Sequence, residues 1–329
     1  MPRSSGVFRA LGTFVACGAM LVSGAGVALA EPTPRAAQIE KTTEVSPQRH
    51  DLIVSSPAMG GKVQISVLTP ADLSYSRGTL YLLDGAGAED RVSDWLTKGG
   101  AEDYFADKDV TVVLPSGKGA FYTNWQQRDA AVGKPQWETF LTKELPPLIN
   151  STFNGNGNNA VAGLSMGGQA AYALASRHPG LYTGAGSLSG CPPVTGLANE
   201  GYVRTTMAKD GGDATNMWGP FGSSGWAAHD PSKRLDALRG KNLYISAGSG
   251  LPGPLDQTTE LDDGMSREQT IAAGAALEIG AYRCSVEFAV VMRAHGVDAT
   301  ENFHLIGTHA WPYWAEDLKA MYPVLARGL

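Results

Sequence analysis

One serine stands in a turn whose residue types would make it a nucleophile. Ser165 lies at the centre of Gly163–Gly167, with a glycine at both ends of the five residues. A short apolar strand pattern precedes this stretch, and a run of good helix formers follows it from Gln169. This context is typical of a nucleophile elbow, in which small residues let strand and helix pass closely and the hydroxyl stands clear of the backbone. The alternative is an ordinary Gly/Ser turn, since the chain holds 41 glycines.

A serine hydroxyl needs a base, and the best candidate downstream of Ser165 is His309. It follows the last predicted strand in a turn, and open α/β sheets place their chemistry in loops at the carboxyl ends of strands. His304 falls inside that strand and is predicted to pack. The remaining histidines receive structural roles: His178 at the dipole of the elbow helix, and His229 and His295 at the surface or in local hydrogen bonds.

The acid that orients the base is left open by the residues alone. The usual hydrolase position, just after the predicted strand Asn242–Ala247, nominates Asp256. Asp262, Asp263 and Glu278 are also available. Chemistry requires only that one carboxylate reach the imidazole, so spacing does not choose among them.

The same reaction requires two backbone donors that hold an oxyanion. The Met166 N–H follows the nucleophile directly and is the first candidate. The second is the Ala86 N–H, in the loop after the predicted strand Thr79–Leu83, where this kind of fold usually supplies a donor. Glycines at Gly85 and Gly87 would let that backbone approach closely.

Strands that alternate with helices along the chain must position these residues. The pattern predicts an α/β fold, with a mostly parallel central sheet and helices on both faces. Two helical patterns contain breakers: Trp137–Ile149, whose last turn Pro146-Pro147 could end, and Ser266–Gly296, interrupted at Gly274 and Gly280. Residues 192–240 are glycine-rich and weakly periodic, which predicts an irregular cap insertion over the active site.

The N-terminus has the features of an export signal. Arg3 and Arg9 precede an apolar stretch, and Ala28-Leu29-Ala30 forms a small-residue cleavage site. An uncleaved anchor is the alternative, but no later segment approaches the roughly 20 apolar residues that span a bilayer. We therefore predict a signal peptide over residues 1–30, a flexible segment over residues 31–48 and one catalytic domain over residues 49–329.

Charge and cysteine content indicate which partners, covalent bonds and metals to expect. Loss of the signal would lower Lys+Arg from 26 to 24 against 32 acidic residues, so nucleic acid is not expected as a partner. Cys191 and Cys284 would remain as an even pair in an oxidising compartment, which predicts one disulfide; two buried free thiols are the alternative. No further ligand lies near either cysteine at zinc spacing, so no metal is expected.

With these residues assembled, the chain resembles the mycolyltransferases of mycolate-bearing actinobacteria, the antigen 85 family. The resemblance runs from about Asp51 to the C-terminus. Its motifs are YLLDG (81–85), FYTNW (121–125), WETFL (137–141), GLSMG (163–167), MWGP (217–220) and GTHAWPYW (307–314). Several are rich in tryptophan, so the set is far more specific than the elbow alone.

The resemblance implies an α/β-hydrolase fold, no metal or other cofactor, and a Ser–Glu–His triad. Its acid occurs in a Leu-Glu pair that matches Leu277-Glu278, which places Glu278 ahead of Asp256. It supports the two oxyanion donors, implies that Asp84 binds a sugar beside the nucleophile, and implies that Trp311 walls the same site. From the bare sequence, Asp84 could equally form a turn.

Two departures separate this chain from the mycobacterial members. Those proteins carry an arginine three residues after the aspartate, where this chain has Gly87, and a cysteine pair before the WETF helix that is missing here. Cys191 and Cys284 would instead fall near the site. Both differences resemble the corynebacterial branch and leave the acceptor undecided.

The expected function is that of a secreted acyltransferase, which moves a mycolyl chain from trehalose monomycolate to a second trehalose monomycolate or to a cell-wall polysaccharide through a serine-linked acyl-enzyme. The first alternative is a secreted carboxylesterase that hydrolyses acyl esters, because both enzymes would share every catalytic residue. The second is a non-catalytic relative that binds carbohydrate or protein.

Overall fold

A central sheet of nine strands organises the structure, a computed structural model that describes residues 36–88, 91–261 and 264–329. Its strands are β1 (Gln38–Ser46), β2 (Arg49–Ser56), β3 (Gly61–Leu68), β4 (Arg77–Leu83), β5 (Thr111–Pro115), β6 (Gly155–Leu164), β7 (Tyr182–Leu188), β8 (Asn242–Gly248) and β9 (Thr300–His304). Their spatial order is β1-β2-β3-β5-β4-β6-β7-β8-β9. The neighbours β1 to β3 and β5 pair antiparallel, and all strands from β5 across to β9 are parallel. The predicted mostly parallel sheet is confirmed.

Helices cover both faces of this sheet, as the alternating pattern predicts. They are α1 (Asp94–Thr97), α2 (Ala101–Phe105), α3 (Trp137–Thr139), α4 (Leu145–Thr152), α5 (Met166–Arg177), α6 (Leu197–Lys209), α7 (Ala214–Trp218), α8 (Ser224–His229), α9 (Arg267–Ala294) and α10 (Trp311–Leu325). One apolar core includes residues of α4, α5 and α9, and the other includes residues of α2 and α10. Every residue of β4 and β5 is buried, as expected of strands covered on both sides. In the part of the chain described, no helix has the length and apolar character to cross a membrane.

The predicted signal peptide lies outside the described residues. The prediction that residues 31–48 form a flexible segment is wrong for Gln38–Ser46, which form β1. This strand pairs antiparallel with β2, from Gln38 opposite Ser55 to Ser46 opposite Arg49. Most of its side chains are exposed, so it carries little apolar alternation. Its order comes from backbone hydrogen bonds to a neighbouring strand, which the composition of the segment does not reveal.

The two helices that contain breakers both continue through them. Phe140–Glu144 form a π-helical turn, and α4 follows it with the two prolines in its first turn. The π-helical turn lies just before the two prolines, where their missing N–H groups interrupt the regular α-helical hydrogen bonding. Helix α9 runs unbroken through Gly274 and Gly280 for 28 residues, about 42 Å. A glycine costs a helix only about 1 kcal/mol, and the Ser266–Gln269 capping box stabilises the helix start.

The segment over residues 192–240 is more regular than predicted. It contains α6, α7 and α8 and two short 3-10 turns, Pro231–Lys233 and Leu235–Leu238. The sequence of α6 has no apolar stripe at helical spacing, and only Val203 and Met207 among its apolar residues are buried. Its helicity was therefore not visible in the hydrophobic pattern on which the prediction rested.

Candidate active site

Ser165 occupies the sharp turn between β6 and α5. Its φ of 50° lies in the left-handed region, which a non-glycine residue adopts only where the surroundings impose it. The flanking glycines explain how the turn is accommodated. A Cβ on Gly163 would lie 2.6 Å from the Gly167 carbonyl carbon, and one on Gly167 would lie 2.5 Å from the Asp84 carbonyl oxygen. The predicted elbow geometry, with its close passage of strand and helix, is present.

The structure brings His309 and Glu278 together. His309 Nδ1 lies 2.7 Å from Glu278 Oε2, and the two side chains are 9% and 1% exposed. The His309 backbone N–H donates to the Gly274 carbonyl at 3.2 Å, one turn before the acid on α9. The imidazole also meets the Trp314 ring edge-to-face, with centroids 4.8 Å apart. Because Nδ1 is occupied by the carboxylate, Nε2 is the nitrogen left to exchange a proton with a nucleophile.

Asp256, the second choice for the acid, supports the loops instead. Its carboxylate accepts hydrogen bonds from the Gly253 N–H at 2.7 Å, from the Tyr313 hydroxyl at 2.7 Å and from the Thr308 hydroxyl. Since Thr308 precedes His309, Asp256 orders the backbone that presents the imidazole. Asp262 and Asp263 lie outside the described residues.

Ser189 is the site residue that sequence reasoning missed. Its hydroxyl donates to Glu278 Oε1 at 2.7 Å and accepts from the Trp314 indole N–H at 2.9 Å. The Gly248 N–H donates to the same carboxylate oxygen at 2.7 Å. Ser189 has a φ of 51° and follows β7 directly. Its position at the carboxyl end of a parallel strand was the signal that could have found it.

Asp84 is fully buried and holds the turn that begins α1. Its Oδ1 accepts from the Ser93 hydroxyl at 3.0 Å and from the Trp95 N–H at 3.3 Å, whereas its buried Oδ2 has no hydrogen-bond partner among the described residues. Burial raises the pKa of the Asp84 carboxyl from its ordinary value to about 8. The contacts are those of a turn-forming residue, and the predicted sugar contact stays a prediction.

The loop that carries Ala86 runs beside the nucleophile. A Cβ on Gly85 would lie 2.7 Å from Leu164 Cδ1 and 3.6 Å from Ser165 Cβ. Met166 is the first residue of α5, where helix N–H groups lack an intrahelical acceptor. A side chain at Gly87 would enter open space. Both predicted donors therefore belong to backbone next to Ser165.

Trp311 belongs to a row of aromatic rings that connects the Asp84 turn with the imidazole. Its ring meets Trp95 and Trp314 edge-to-face, each with centroids 5.3 Å apart. Trp314 in turn contacts His309. The predicted contact between Trp311 and the substrate stays a prediction. The Trp311 ring is linked to His309 through Trp314.

His178, His229 and His304 lie in hydrogen-bond networks that do not include Glu278 or His309. His178 Nε2 lies 2.7 Å from the buried Glu138, and His229 stacks on Trp218 with centroids 4.8 Å apart. His229 is buried and makes a hydrogen bond to the Gly225 carbonyl at 2.8 Å, which is the local bond that the sequence predicts as one of two roles. Burial alone would raise the pKa of Glu138, but hydrogen bonds with His178 and Arg177, together with the nearby His229 imidazole, hold it below its ordinary range. His304 binds Asp317 at 2.8 Å, which raises the pKa of the imidazole.

The predicted disulfide is present. Cys191 and Cys284 are bonded across a sequence separation of 93 residues. Cys191 follows the end of β7, and Cys284 lies on α9 six residues beyond Glu278. The bridge therefore ties the acid-bearing helix to the strand that leads to Ser189. Over residues 36–88, 91–261 and 264–329, no group of His, Cys, Asp and Glu side chains is arranged to hold a metal ion.

Comparison with known proteins places this chain among serine acyl-transfer enzymes. Residues 56–325 match the family model described as Esterase. The diacylglycerol acyltransferase/mycolyltransferase Ag85B of Mycobacterium intracellulare is 32% identical over 292 residues, covering 84% of this chain and 82% of the relative. Ag85B of Mycolicibacterium smegmatis is 33% identical over 305 residues, covering 84% of each.

Solved structures show the same fold. The crystal structure of Mycobacterium tuberculosis MPT51 (FbpC1) matches with a TM-score of 0.70 at 30% identity, covering 84% of this chain and 97% of that one. A ferulic acid esterase matches with a TM-score of 0.60 at 18% identity, covering 89% and 99%, which bears on the fold alone.

Proposed function

Since the chain belongs to the esterase family that includes the antigen 85 mycolyltransferases, we propose that it is a serine acyltransferase acting on mycolyl esters of trehalose. The donor is trehalose monomycolate, and the acceptor is a second trehalose monomycolate or a cell-wall polysaccharide. The observation that carries this proposal is the hydrogen bond between His309 and the buried Glu278, on the same edge of the parallel sheet as Ser165.

The first half-reaction forms the acyl-enzyme. His309 Nε2 removes the proton from Ser165 Oγ, which attacks the ester carbonyl carbon, and Glu278 stabilises the imidazolium through Nδ1. The Met166 and Ala86 N–H groups hold the oxyanion of the tetrahedral intermediate. The bond from the acyl carbon to the trehalose oxygen then breaks, and that oxygen takes the proton from His309.

The second half-reaction returns the enzyme to its starting state. An acceptor hydroxyl gives its proton to His309 Nε2 and attacks the acyl carbon, and Ser165 leaves with the proton restored. We assign the sugar contacts to Asp84 and Trp311. In its protonated form the Asp84 carboxyl would donate a hydrogen bond to a sugar oxygen, and its unpartnered Oδ2 supports this assignment.

We also propose that the protein acts outside the cytoplasm, after cleavage of the signal over residues 1–30. The disulfide supports this location, because such bonds persist in oxidising compartments. An export test in a host that carries the native secretion pathway would follow the processed N-terminus by mass spectrometry. Retention of residues 1–30 on all of the protein would contradict it.

Ser165→Ala tests the nucleophile. Removal of Oγ should lower acyl transfer from trehalose monomycolate by at least about 10³-fold and abolish labelling by a serine-reactive phosphonate. Ser151→Ala, at an exposed serine on α4, is the matched control and should retain both. Transfer at the wild-type rate by Ser165→Ala would contradict the assignment.

The balance between transfer and hydrolysis separates this proposal from a plain esterase. Purified enzyme should form more transferred acyl product than free fatty acid when trehalose is present, because the acceptor hydroxyl must outcompete water at the acyl-enzyme. Release of free acid alone, at every trehalose concentration, would assign the site to hydrolysis instead.

A further inference from the structure

Four large apolar side chains are exposed on one part of the surface. They are Leu251 (53% exposed), Ile279 (58%), Leu305 (79%) and Ile306 (43%). Single exposed apolar residues are common on any protein, but a contiguous group marks an interaction surface. We call these four residues the apolar rim.

Two members of the apolar rim, Leu251 and Ile279, lie close together because the loop after β8 packs against α9. A Cβ on Gly250 would lie 2.5 Å from Ile279 Cγ1, so the loop after β8 lies directly against this face of α9. The next residue, Leu251, accepts from the Gly307 N–H at 2.8 Å, and Gly307 in turn accepts from the Gly250 N–H at 2.8 Å. The loop after β8 is thus bound to the loop after β9.

The other two members lie in that second loop. The Leu305 carbonyl accepts from the Ser249 hydroxyl at 2.5 Å, and the Ile306 side chain contacts Gly253. Three chain segments therefore contribute to one surface: the loop after β8, the exposed side of α9 and the loop after β9.

This surface adjoins the catalytic residues. Ile279 follows Glu278 on α9, and Ile306 precedes His309 by three residues. Strands β8 and β9 run parallel to β6, so their carboxyl ends lie at the same edge of the sheet as Ser165. A successive residue on a helix is turned by about 100°, which explains why Ile279 is exposed while Glu278 is buried.

We propose that the apolar rim docks the protein onto the acyl-chain layer of the lipid surface that holds its substrate. This inference rests on the proposed function: a mycolyl ester is an amphiphile whose chains aggregate or lie in a membrane, and its ester must reach Ser165. The transfer of leucine and isoleucine side chains from water to the boundary between head groups and acyl chains lowers the free energy.

Size and charge favour lipid over a protein partner. A stable protein interface buries about 800 Å² on each side, and four side chains cover a few hundred. The whole chain carries a formal net charge of −6, and none of the four members is charged. We therefore expect docking that depends on apolar insertion and persists at high salt.

The test measures partition onto phosphatidylcholine vesicles by flotation, in a Ser165→Ala background so that turnover plays no part. The double substitution Ile279→Asp with Leu305→Asp should lower the partition coefficient at least about tenfold. Val45→Asp is the matched control: Val45 is 50% exposed and lies on β1, at the opposite edge of the sheet. It should change the coefficient less than about twofold.

A second measurement checks that the rim variant is folded, with Ser165 intact. Its hydrolysis of the soluble ester p-nitrophenyl butyrate should match the wild type, while its turnover of the same acyl class in vesicles should fall about tenfold. Should the double variant fail to fold, Leu305→Ser replaces it in both assays, with the same direction expected.

Three results would overturn the proposal: no vesicle binding by the wild-type protein, equal partition of the rim and control variants, or a dimer that the rim substitutions convert to monomer. The last would assign the surface to a second copy of this chain. Failure of the proposed function gives a different pattern, namely no phosphonate labelling of Ser165 together with vesicle binding that still depends on the rim.

Discussion

Glu278 is held by more than its bond to the imidazole. Two donors on Oε1, the Ser189 hydroxyl and the Gly248 N–H, leave Oε2 turned toward His309. A buried carboxylate with its oxygens satisfied keeps one rotamer, and the base then keeps one orientation. The precision of the site therefore depends on a serine that takes no part in the chemistry.

Ser189→Ala tests this positioning. Loss of the hydroxyl leaves the Trp314 indole N–H buried without its partner and removes one donor from Glu278, so we expect kcat for a soluble ester to fall about 10- to 100-fold. KM should change little, because the hydroxyl touches no substrate group. Steady-state kinetics and the rate of phosphonate labelling of Ser165 measure both.

The control lies two residues earlier, within β7. The Ser187 hydroxyl is also buried but has no hydrogen-bond partner in the described part of the chain. Ser187→Ala should leave kcat near the wild-type value, since removal of an unpartnered polar group is neutral or stabilising. Equal losses in the two variants would mean that Ser189 acts through general packing and not through Glu278.

Asp84 makes stability depend on pH in a direction that follows from its burial. Because burial raises the pKa of the folded carboxyl from 3.8 to about 8, the unfolded chain ionises first as the pH rises. The stability present below about pH 4 is therefore lost between pH 4 and 8. Asp84→Asn removes this loss, so its stability relative to the wild type should grow by up to about 1.4 kcal/mol per pH unit across that window.

Urea unfolding of both proteins at pH 4, 6 and 8 measures the difference. Asparagine keeps an oxygen to accept from Ser93 and Trp95, so the turn itself should be retained. Parallel stability profiles across the three pH values would show that Asp84 ionises in the folded protein.

At the scale of elements, β4, β6 and α5 pack against one another at the elbow. Backbone of the Leu83–Asp84 segment lies against Gly167, and Gly167 lies against Gly163. The contact is backbone on backbone, so no rotamer change can relieve an added methyl group. This packing also brings the loop with Ala86 beside Ser165.

Gly167→Ala should therefore be costly. The new Cβ would lie 2.5 Å from the Asp84 carbonyl oxygen, and the required backbone shift should lower the free energy of unfolding by about 2 kcal/mol or more. Phosphonate labelling of Ser165 should slow at least about tenfold. Gly180→Ala, where a Cβ meets open space, is the control. It should change the free energy of unfolding by less than about 0.5 kcal/mol and leave the labelling rate of Ser165 unchanged. A Gly167→Ala protein with native stability would contradict the packing argument.

At the scale of the whole molecule, one covalent bond joins distant parts of the chain. The Cys191–Cys284 bridge closes a loop of 93 residues that includes α6, α7, α8 and β8. It restricts the unfolded chain and attaches the acid-bearing helix to the sheet. The first effect grows with the length of the closed loop, and the second adds to the hydrogen bonds of Glu278 with Ser189 and Gly248.

Replacement of both cysteines by serine should lower the free energy of unfolding by about 4–5 kcal/mol in the loop-entropy model. Urea unfolding without reductant measures it. Wild-type protein in excess dithiothreitol should unfold at the same urea concentration as the double variant. An unchanged midpoint in both samples would show that the bridge contributes nothing to stability.

Much of the fold could be predicted because its elements carry local patterns. The continuous apolar stretches at β4 and β5 and the helix formers after Ser165 indicate their structures within a few residues. The failures at β1 and α6 share one cause. β1 and α6 lack an apolar stripe, so their order depends on backbone pairing or on neighbours distant in sequence, which periodicity does not report.

The sequence by itself predicted Ser165 as the nucleophile and His309 as its base, and it indicated the glycine-flanked turn and the family, because each depends on residue types at short spacing. The resemblance ranked Glu278 ahead of Asp256, but only the tertiary structure showed that Glu278 is the one that reaches His309. Only the tertiary structure revealed Ser189 and the apolar rim. Those facts depend on which strands are neighbours: β7, β8 and β9 end at one edge. Strand order is a long-range outcome of packing, and no local pattern of residues encodes which side chains will meet there.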